Sequence, residues 1–450
     1  MRMPNIRQLS EEQLDIIEDA PIDGNILVSG PPGTGKTIIA FLRAQRLAKK
    51  NINVTVLMFN RVLRKYTENI TSEIPGNVQS KTLHSWLTSW WQQHKIHNDE
   101  NEKIYVNCPY HEKEALKAIG GEWDKNKFNP ITKKRGMWFI PKELYNVNPN
   151  AYRSWERASF APPEIHKWQY NWNKMLELYI DQPADHMCDW GHLVLDEAQD
   201  FEPKLFSFLN MVSKQLDKGG ITVLADENQR LEENRNSSLD DIRSNLKITK
   251  KPERQFKLTI NFRNTYQIAK VASHFYVGLE TGMPSYPNRQ GSKPVLVLTT
   301  DTDSQIEYIC RSLRNRAAVE VGVILDNDTD REMFTQEITT RLPSYHVQTY
   351  SSRESRNSEL LLFDKQGVIT IIHRKSCKGL EFDSVFIPQL QSFPVDDIDQ
   401  TTFSMNMYVM CSRARNELVF LCSGGTDTNH AFFEHFPSRA SGLVEYRDKI

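Results

Sequence analysis

The sequence predicts an α/β protein made of two α/β domains with a small α+β insertion, and three observations predict it. "NILVSGPPGTGKTIIAFLRAQRLAKK" is an apolar run, Asn25 to Ser29, then a Gly-rich turn, then a helix carrying Ile39, Leu42 and Leu47. Two further apolar runs, "HLVLDEAQD" and "GITVLADENQR", end in carboxylates and amides, as strands do at the ligand-bearing edge of an open sheet. Beyond residue 290, "KPVLVLTT", a helical stretch and "VGVILD" repeat the alternation of strand and helix.

Composition bounds the rest. A chain of 450 residues with 39% hydrophobic content can bury a large core and divide into two or three domains. Lys and Arg number 56 against 57 Asp and Glu, so any affinity for a polyanion must come from local basic patches. Six cysteines lie far apart without CxxC spacing, which argues against a zinc ribbon or a disulfide framework and fits a reducing cytoplasm. The start, "MRMPNIRQLSEEQ", lacks the apolar stretch of an export signal, and no apolar run reaches the ~18 residues of a membrane span. The expectation is a cytoplasmic protein with no membrane partner.

The first turn carries the clearest chemistry. Gly30, Pro31, Pro32, Gly33, Thr34, Gly35, Lys36 and Thr37 match GxxxxGK[ST] between a strand and a helix. Glycines there let backbone N–H groups approach phosphate oxygens, and the helix N-terminus favours negative charge. Lys36 is expected on the outer phosphates and Thr37 on magnesium. A P-loop needs a carboxylate at a neighbouring strand end to hold that ion, and Asp196 supplies one. Glu197, one residue on, points differently and is placed to take a proton from the attacking water. "FKLTINFRNTYQIAK" puts Phe262 and Arg263 after a short strand, and "NMYVMCSRARNEL" puts Arg413 and Arg415 after a helical pattern. Each arginine is either a finger for transition-state charge or a surface ion-pair partner.

The order of these motifs resembles the UvrD/Rep-like branch of superfamily 1 helicases over nearly the whole chain. "LSEEQLDII", "VTVLMFNRVLRKY", "SKTLHSWL", "DENQ", "NFRN", "KSCKGLEFDSVFIP" and "MYVMCSRAR" complete the likeness. The resemblance implies two RecA-like P-loop NTPase domains closing on Mg2+ and ATP. It implies that Gln13 reads the adenine edge, that Phe262 stacks on the base, and that Glu381 reaches the ribose. Gln199 and Gln229 resemble nucleotide sensors, and Arg263 and Arg413 the pair offered to the γ-phosphate. Phe59, Asn60, Thr82, His84 and Ser85 correspond to positions that hold single-strand phosphates, so binding is expected to be largely independent of sequence. The chain departs from its relatives where no aromatic follows "DENQ" before Phe256, and where Ile38 stands at a position often taken by Arg.

Between "LHSWLTSWWQQH" and "DEAQD" lies a stretch that reads as a strand, a helix over about Glu112–Ile119, a Gly-Gly turn and two strands split by a basic turn. It resembles a short domain of unknown function found in plasmid-encoded primases and other DNA-metabolism proteins, through Pro109, Tyr110, Glu112, Lys113, Gly120, Trp123, Asp124, Trp138 and Pro141. Lys133, Lys134 and Arg135 beside Trp123, Phe128 and Trp138 suit a nucleic-acid grip. The other reading is a solvated loop over a Trp-rich core.

The expected division is 1–100 with 156–250 for the first motor domain, 101–155 for the insertion and 251–450 for the second motor domain, with a linker near Lys247–Gln255. Only about a hundred residues separate Arg263 from "KGLEF", enough for one α/β domain and no large helical insertion. The acidic "DNDTDRE", Asp326 to Glu332, reads as a solvated loop and no nuclease signature stands out. The expected function is ATP-dependent translocation on, or unwinding of, single-stranded DNA, three-prime to five-prime, in repair, recombination or phage defence, with any cleavage left to a partner nuclease. The alternatives are an RNA track, or an ATP-gated binding subunit that signals to such an effector.

Overall fold

The computed structural model describes residues 8–59, 61–68, 78–93, 96, 102–129, 131–158, 161–166, 169–180, 190–213, 220–229, 236–314, 319–351, 358–395, 400–424 and 430–448. By backbone contacts the chain forms two compact units, one made of 1–82 and 190–450 and the other of 83–189.

The larger unit holds two parallel sheets, and its architecture is α/β of the two-domain RecA-like type. The first sheet runs in the order Gln255–Lys257, Gly24–Ser29, Gly220–Ala225, His192–Leu195, Val54–Met58, Val78–Thr82. Every neighbouring pair is parallel. The central strands His192–Leu195 and Gly220–Ala225 are buried along their whole length, which is why they read as continuous apolar runs. The second sheet runs His346–Tyr350, Val368–His373, Val321–Leu325, Phe382–Ile387, Ala414–Ser423, Val295–Thr299, Glu445–Asp448, again with all pairs parallel.

Two local features differ from the sequence reading. The strand Gln255–Lys257 pairs with Leu27–Ser29, so the first sheet takes its last strand from beyond residue 250. The chain then runs beneath the P-loop, where the Leu258 N–H donates to the Ser29 carbonyl at 2.8 Å and the Phe262 N–H to the Gly33 carbonyl at 2.9 Å. The acidic stretch after Asp326 is the start of a helix, Asp328–Arg341, and not a loop. Asn327 caps it by accepting from the Asp330 N–H at 2.8 Å, and Asp328 and Asp330 lie at the positive end of the helix dipole.

The N-terminal helix Glu11–Glu18 is fixed by a capping box between Ser10 and Gln13 and by one buried arginine. Arg43, on the P-loop helix Lys36–Lys49, donates to the carbonyls of Ile16 at 2.9 Å and Ala20 at 3.3 Å and to the Thr222 hydroxyl at 2.9 Å. Burial pulls its guanidinium down to about 10, and the positive charges of Arg46 and Arg254 act in the same direction.

The smaller unit contains an antiparallel sheet in the order Glu122–Phe128, Arg135–Pro141, Lys103–Asn107, Glu156–Arg157. Its core gathers Val106, Leu116, Trp138, Ile140, Tyr152 and Trp155. The expected helix appears as a 3-10 turn, Tyr110–Glu112, followed by Lys113–Ala118. The helices Leu83–Gln93 and Trp172–Ile180 also belong to this unit, with Trp86 stacked on Trp90 at 5.7 Å between centroids.

Candidate nucleotide site

Two glycines shape the P-loop. Gly33 and Gly35 have φ of +82° and +83°, a region L side chains rarely adopt, and a Cβ on Gly33 would lie 2.4 Å from the Asn261 side-chain oxygen. Lys36 folds back on the loop, donating to the carbonyls of Gly30 at 2.6 Å and Pro31 at 3.1 Å, while the Thr34 hydroxyl donates to Pro31 at 2.9 Å. Burial lowers the Lys36 pKa, opposed by the charges of Asp226, Glu197 and Asp196. Gln13 accepts from the Ser10 N–H at 3.1 Å and donates to the Thr34 carbonyl at 3.0 Å, so one of its amide N–H bonds already braces the loop.

The acidic strand ends sit directly behind. Thr37 donates to Asp196 at 2.6 Å, and Asp196 is fully buried. Burial, followed by the charge of Glu197, pushes Asp196 up to about 6. A carboxylate in that state, flanked by a hydroxyl, suits a divalent cation whose charge replaces the proton, with the remaining ligands coming from phosphate and water. Among the described residues there is no cluster of three or more His, Cys, Asp or Glu side chains that could hold a metal alone. Glu197 occupies the left-handed region at φ +54°, uncommon for a residue with a side chain. Burial opposes its ionisation, but Lys378, Lys36 and Arg413 hold its pKa below the ordinary value.

A chain of hydrogen bonds then crosses from the first sheet to the second. The Gln199 amide donates to Glu197 at 2.7 Å and accepts from the Asp226 N–H at 2.9 Å. Asp226 accepts from Gln229 at 2.5 Å, and Gln229 accepts from Arg413 at 2.7 Å. Arg413 stands at the end of the helix Gln400–Cys411, fully buried. Beside it, Glu381 accepts from Arg263 at 2.7 Å and from Arg415 at 2.6 Å, and these two cations overcome burial to hold its pKa down. Glu381 is thus an anchor for two arginines in addition to lining the site.

These groups enclose a cavity of about 510 Å³ whose walls include Gln13, Pro32, Gly33, Gly35, Lys36 and Thr37 from the first domain. Glu197, Gln229, Phe262, Arg263, Glu381 and Arg413 also line it. Gly30, Pro31, Thr34 and Asp196 do not line the cavity and act from behind it, through the contacts above. Phe262 is half exposed, presenting a ring to the space. Ile38, at the position often taken by Arg in the relatives, also lines the cavity.

The residues expected on nucleic acid divide between the two units. Phe59 is partly exposed and packs edge-on against Phe201 at 5.8 Å, and Thr82 ends the last strand of the first sheet. His84 and Ser85 belong to the smaller unit, where the His84 ring is 2.8 Å from the Tyr170 hydroxyl. Lys133, Lys134 and Arg135 are exposed there. Asn60, and the 230–235 segment where no aromatic follows "DENQ", lie outside the described residues.

Sequence reasoning missed three participants. Lys378, in "CKGLEF", is buried and donates to Asp200 at 2.5 Å and to the Gln229 carbonyl at 2.5 Å, with Glu197 3.6 Å away. Asp200 is pushed up to about 6 by burial, which Lys378 opposes. Arg289 lines the cavity and donates to Asn416 at 2.7 Å and to the Arg415 carbonyl at 2.6 Å. A basic residue next to the paired Gly379 and Glu381 was visible for Lys378, whereas nothing local marks Arg289.

The comparisons agree with the first half of this geometry. The AAA domain family model matches residues 13–235, which carry the P-loop, both acidic strand ends and the inserted unit. No curated protein matches the chain. Among solved structures, the C-terminal domain of a possible DNA helicase from Lactobacillus plantarum WCFS1 is similar at 22% identity and a TM-score of 0.30, covering 42% of this chain and 99% of that one. At that score the likeness carries no argument about activity, whereas over residues 13–235 the chain is similar to AAA-type domains.

Proposed function

We propose that this protein hydrolyses ATP to move along single-stranded DNA, as a translocase or helicase of the UvrD/Rep-like kind. The observation that supports it best is the unbroken hydrogen-bonded chain from Glu197 through Gln199, Asp226 and Gln229 to Arg413. It ties a water-activating carboxylate on one sheet to a phosphate-seeking arginine on the other, which is what coupling of hydrolysis to domain movement requires.

The P-loop amides and Lys36 receive the phosphates, and Phe262 with Gln13 receives the base. Thr37 and Asp196 would hold a magnesium ion, which when bound would supply neutralising charge for the outer phosphates. An arriving triphosphate draws Lys36 off the Gly30 and Pro31 carbonyls and competes for Arg413. Both movements remove positive charge from Glu197, so its proton affinity rises as substrate binds, making it a better base for the attacking water. Arg263 and Arg413 meet the charge that develops on the transferred phosphoryl group. Phe59, Asn60, Thr82, His84 and Ser85 hold the strand, along which the protein travels three-prime to five-prime as the domains close and open. The same machine serves DNA repair, recombination or phage defence beside a partner effector.

The test is steady-state ATPase activity with single-stranded DNA, duplex DNA, single-stranded RNA or no polymer. Stimulation by single-stranded DNA above the others is expected, with Lys36→Ala and Glu197→Gln each lowering the rate by about 10²-fold or more. A rate indifferent to every polymer would sink the motor and favour an ATP-gated subunit that signals to a partner. Preferential stimulation by RNA would change the track.

A further inference from the structure

The smaller unit exposes an unusual strand. Glu122–Phe128 is the edge of its sheet, and none of its residues is buried. Trp123 in this strand is 51% exposed and Phe128 53%. Trp123 is nevertheless pinned. Its ring packs edge-on against buried Trp138 at 5.2 Å and lies over Gly136, where an added Cβ would come within 2.2 Å of the indole. Gly136 has φ +115° and no side chain, so the hairpin backbone supplies a floor for one part of the ring while the rest faces solvent.

Positive charge lies along the same hairpin, with Arg135 paired opposite Phe128. Over 102–158 there are eleven Lys and Arg against seven Asp and Glu, although the whole chain carries a net −1. Lys125 lies in the edge strand, and Lys133, Lys134 and Arg135 lie in the turn and at the start of the strand paired with it, all exposed. No described carboxylate forms an ion pair with any of the four. Lysines on an edge strand also discourage unwanted strand pairing, and that would account for the charge. It does not account for a large indole held half in water, because blocking an edge needs no exposed aromatic.

We propose that this strand and turn form a stacking platform for a single-stranded nucleic acid, with Trp123 against a base and Lys125, Lys133, Lys134 and Arg135 against phosphates. The platform belongs to the smaller unit and rests on the proposed function only for the polymer offered. Stacking on a fixed ring is tolerant of base identity, and the basic groups make binding salt-dependent.

The test uses the full chain and a thymidine oligomer carrying 5-bromodeoxyuridine, irradiated and mapped by mass spectrometry. A cross-linked peptide containing Trp123 is expected. Trp123→Ala is expected to weaken oligomer binding by about 5- to 20-fold, with Trp123→Phe retaining most of it. Replacing Lys133, Lys134 and Arg135 by Ala is expected to reduce the salt slope by about 2. Cross-links confined to other peptides, with binding unchanged in Trp123→Ala, would overturn the platform. If single-stranded DNA still stimulated the ATPase in that case, the motor reading would survive. A Trp123 cross-link without polymer-stimulated hydrolysis would leave the platform standing and the motor refuted.

Discussion

Lys378 shows how a single side chain can sit between stability and chemistry. It is nearly inaccessible and touches Asp200 and the Gln229 carbonyl, with Glu197 within reach. Removing one partner of a buried ion pair leaves the other uncompensated, at a cost of about 3–5 kcal/mol. Lys378→Met is therefore expected to lower the urea midpoint strongly, and adding Asp200→Asn to recover much of that loss. ATPase activity should stay low in the double variant, because Glu197 has lost its nearest cation. Recovery of activity along with stability would show that Lys378 serves the fold alone. Glu320 gives a second test, in the pH dependence of unfolding. Burial raises its carboxyl from 4.5 to about 7, partly offset by Arg415. The folded state then binds the proton more tightly than the unfolded state, so stability is full below pH 4.5 and falls as pH rises to about 7. Glu320→Gln keeps the acceptor for the Asp364 N–H, seen at 3.1 Å, and removes the ionisation. The variant should be more stable than the parent at pH 8, by up to about 3 kcal/mol, with little difference at pH 4. Denaturant titrations at the two pH values decide it.

At the scale of elements, the same physical chemistry made some segments legible and hid others. The P-loop strand and helix were readable because their glycines, lysine and threonine serve one purpose at fixed spacing. His192–Leu195 and Gly220–Ala225 were readable because strands covered on both faces are apolar throughout. The first residues of Asp328–Arg341, up to Glu332, were read as a solvated loop because that turn is acidic, although Asn327 followed by Asp330 is a cap signal. A short strand before Phe262 was readable, but the place of Gln255–Lys257 in the first sheet was not, because it comes from pairing with Leu27–Ser29. Arg43 looked like one more basic residue on a helix, yet it ties the N-terminal helix to the first sheet. Arg43→Met removes donors from the Ile16 and Ala20 carbonyls, and a loss of about 2–4 kcal/mol is expected in chemical unfolding. A loss under 0.5 kcal/mol would mean that water replaces the guanidinium.

On the scale of the whole molecule, the nucleotide cavity balances five buried or half-buried carboxylates, Asp196, Glu197, Asp200, Asp226 and Glu381, against Lys36, Lys378, Arg263, Arg413 and Arg415. The first sheet contributes four of the acids and one of the cations. The second contributes the rest, so charge balance itself favours the two sheets together. Arg413 reaches Gln229 only because the second sheet delivers it. For the proposed hydrolysis, Arg413→Ala should lower kcat by about 10³-fold or more while ATP affinity changes far less, since a finger acts chiefly on the transition state. Single-turnover hydrolysis and equilibrium binding of ATP separate the two effects, and an equal loss in both would make Arg413 a ground-state ligand only.

The sequence by itself determined the α/β class, the P-loop and the two acidic strand ends, because each rests on local spacing that backbone geometry dictates. It also marked the arginines without saying whether they meet phosphate or solvent. Tertiary structure alone decided that Lys378, Asp200 and Arg289 join the site, that Glu381 anchors two arginines, and that Trp123 is held exposed over Gly136. Those outcomes depend on pairings between residues up to 178 positions apart, as between Lys378 and Asp200, and burial sets their energetics, which no local pattern encodes.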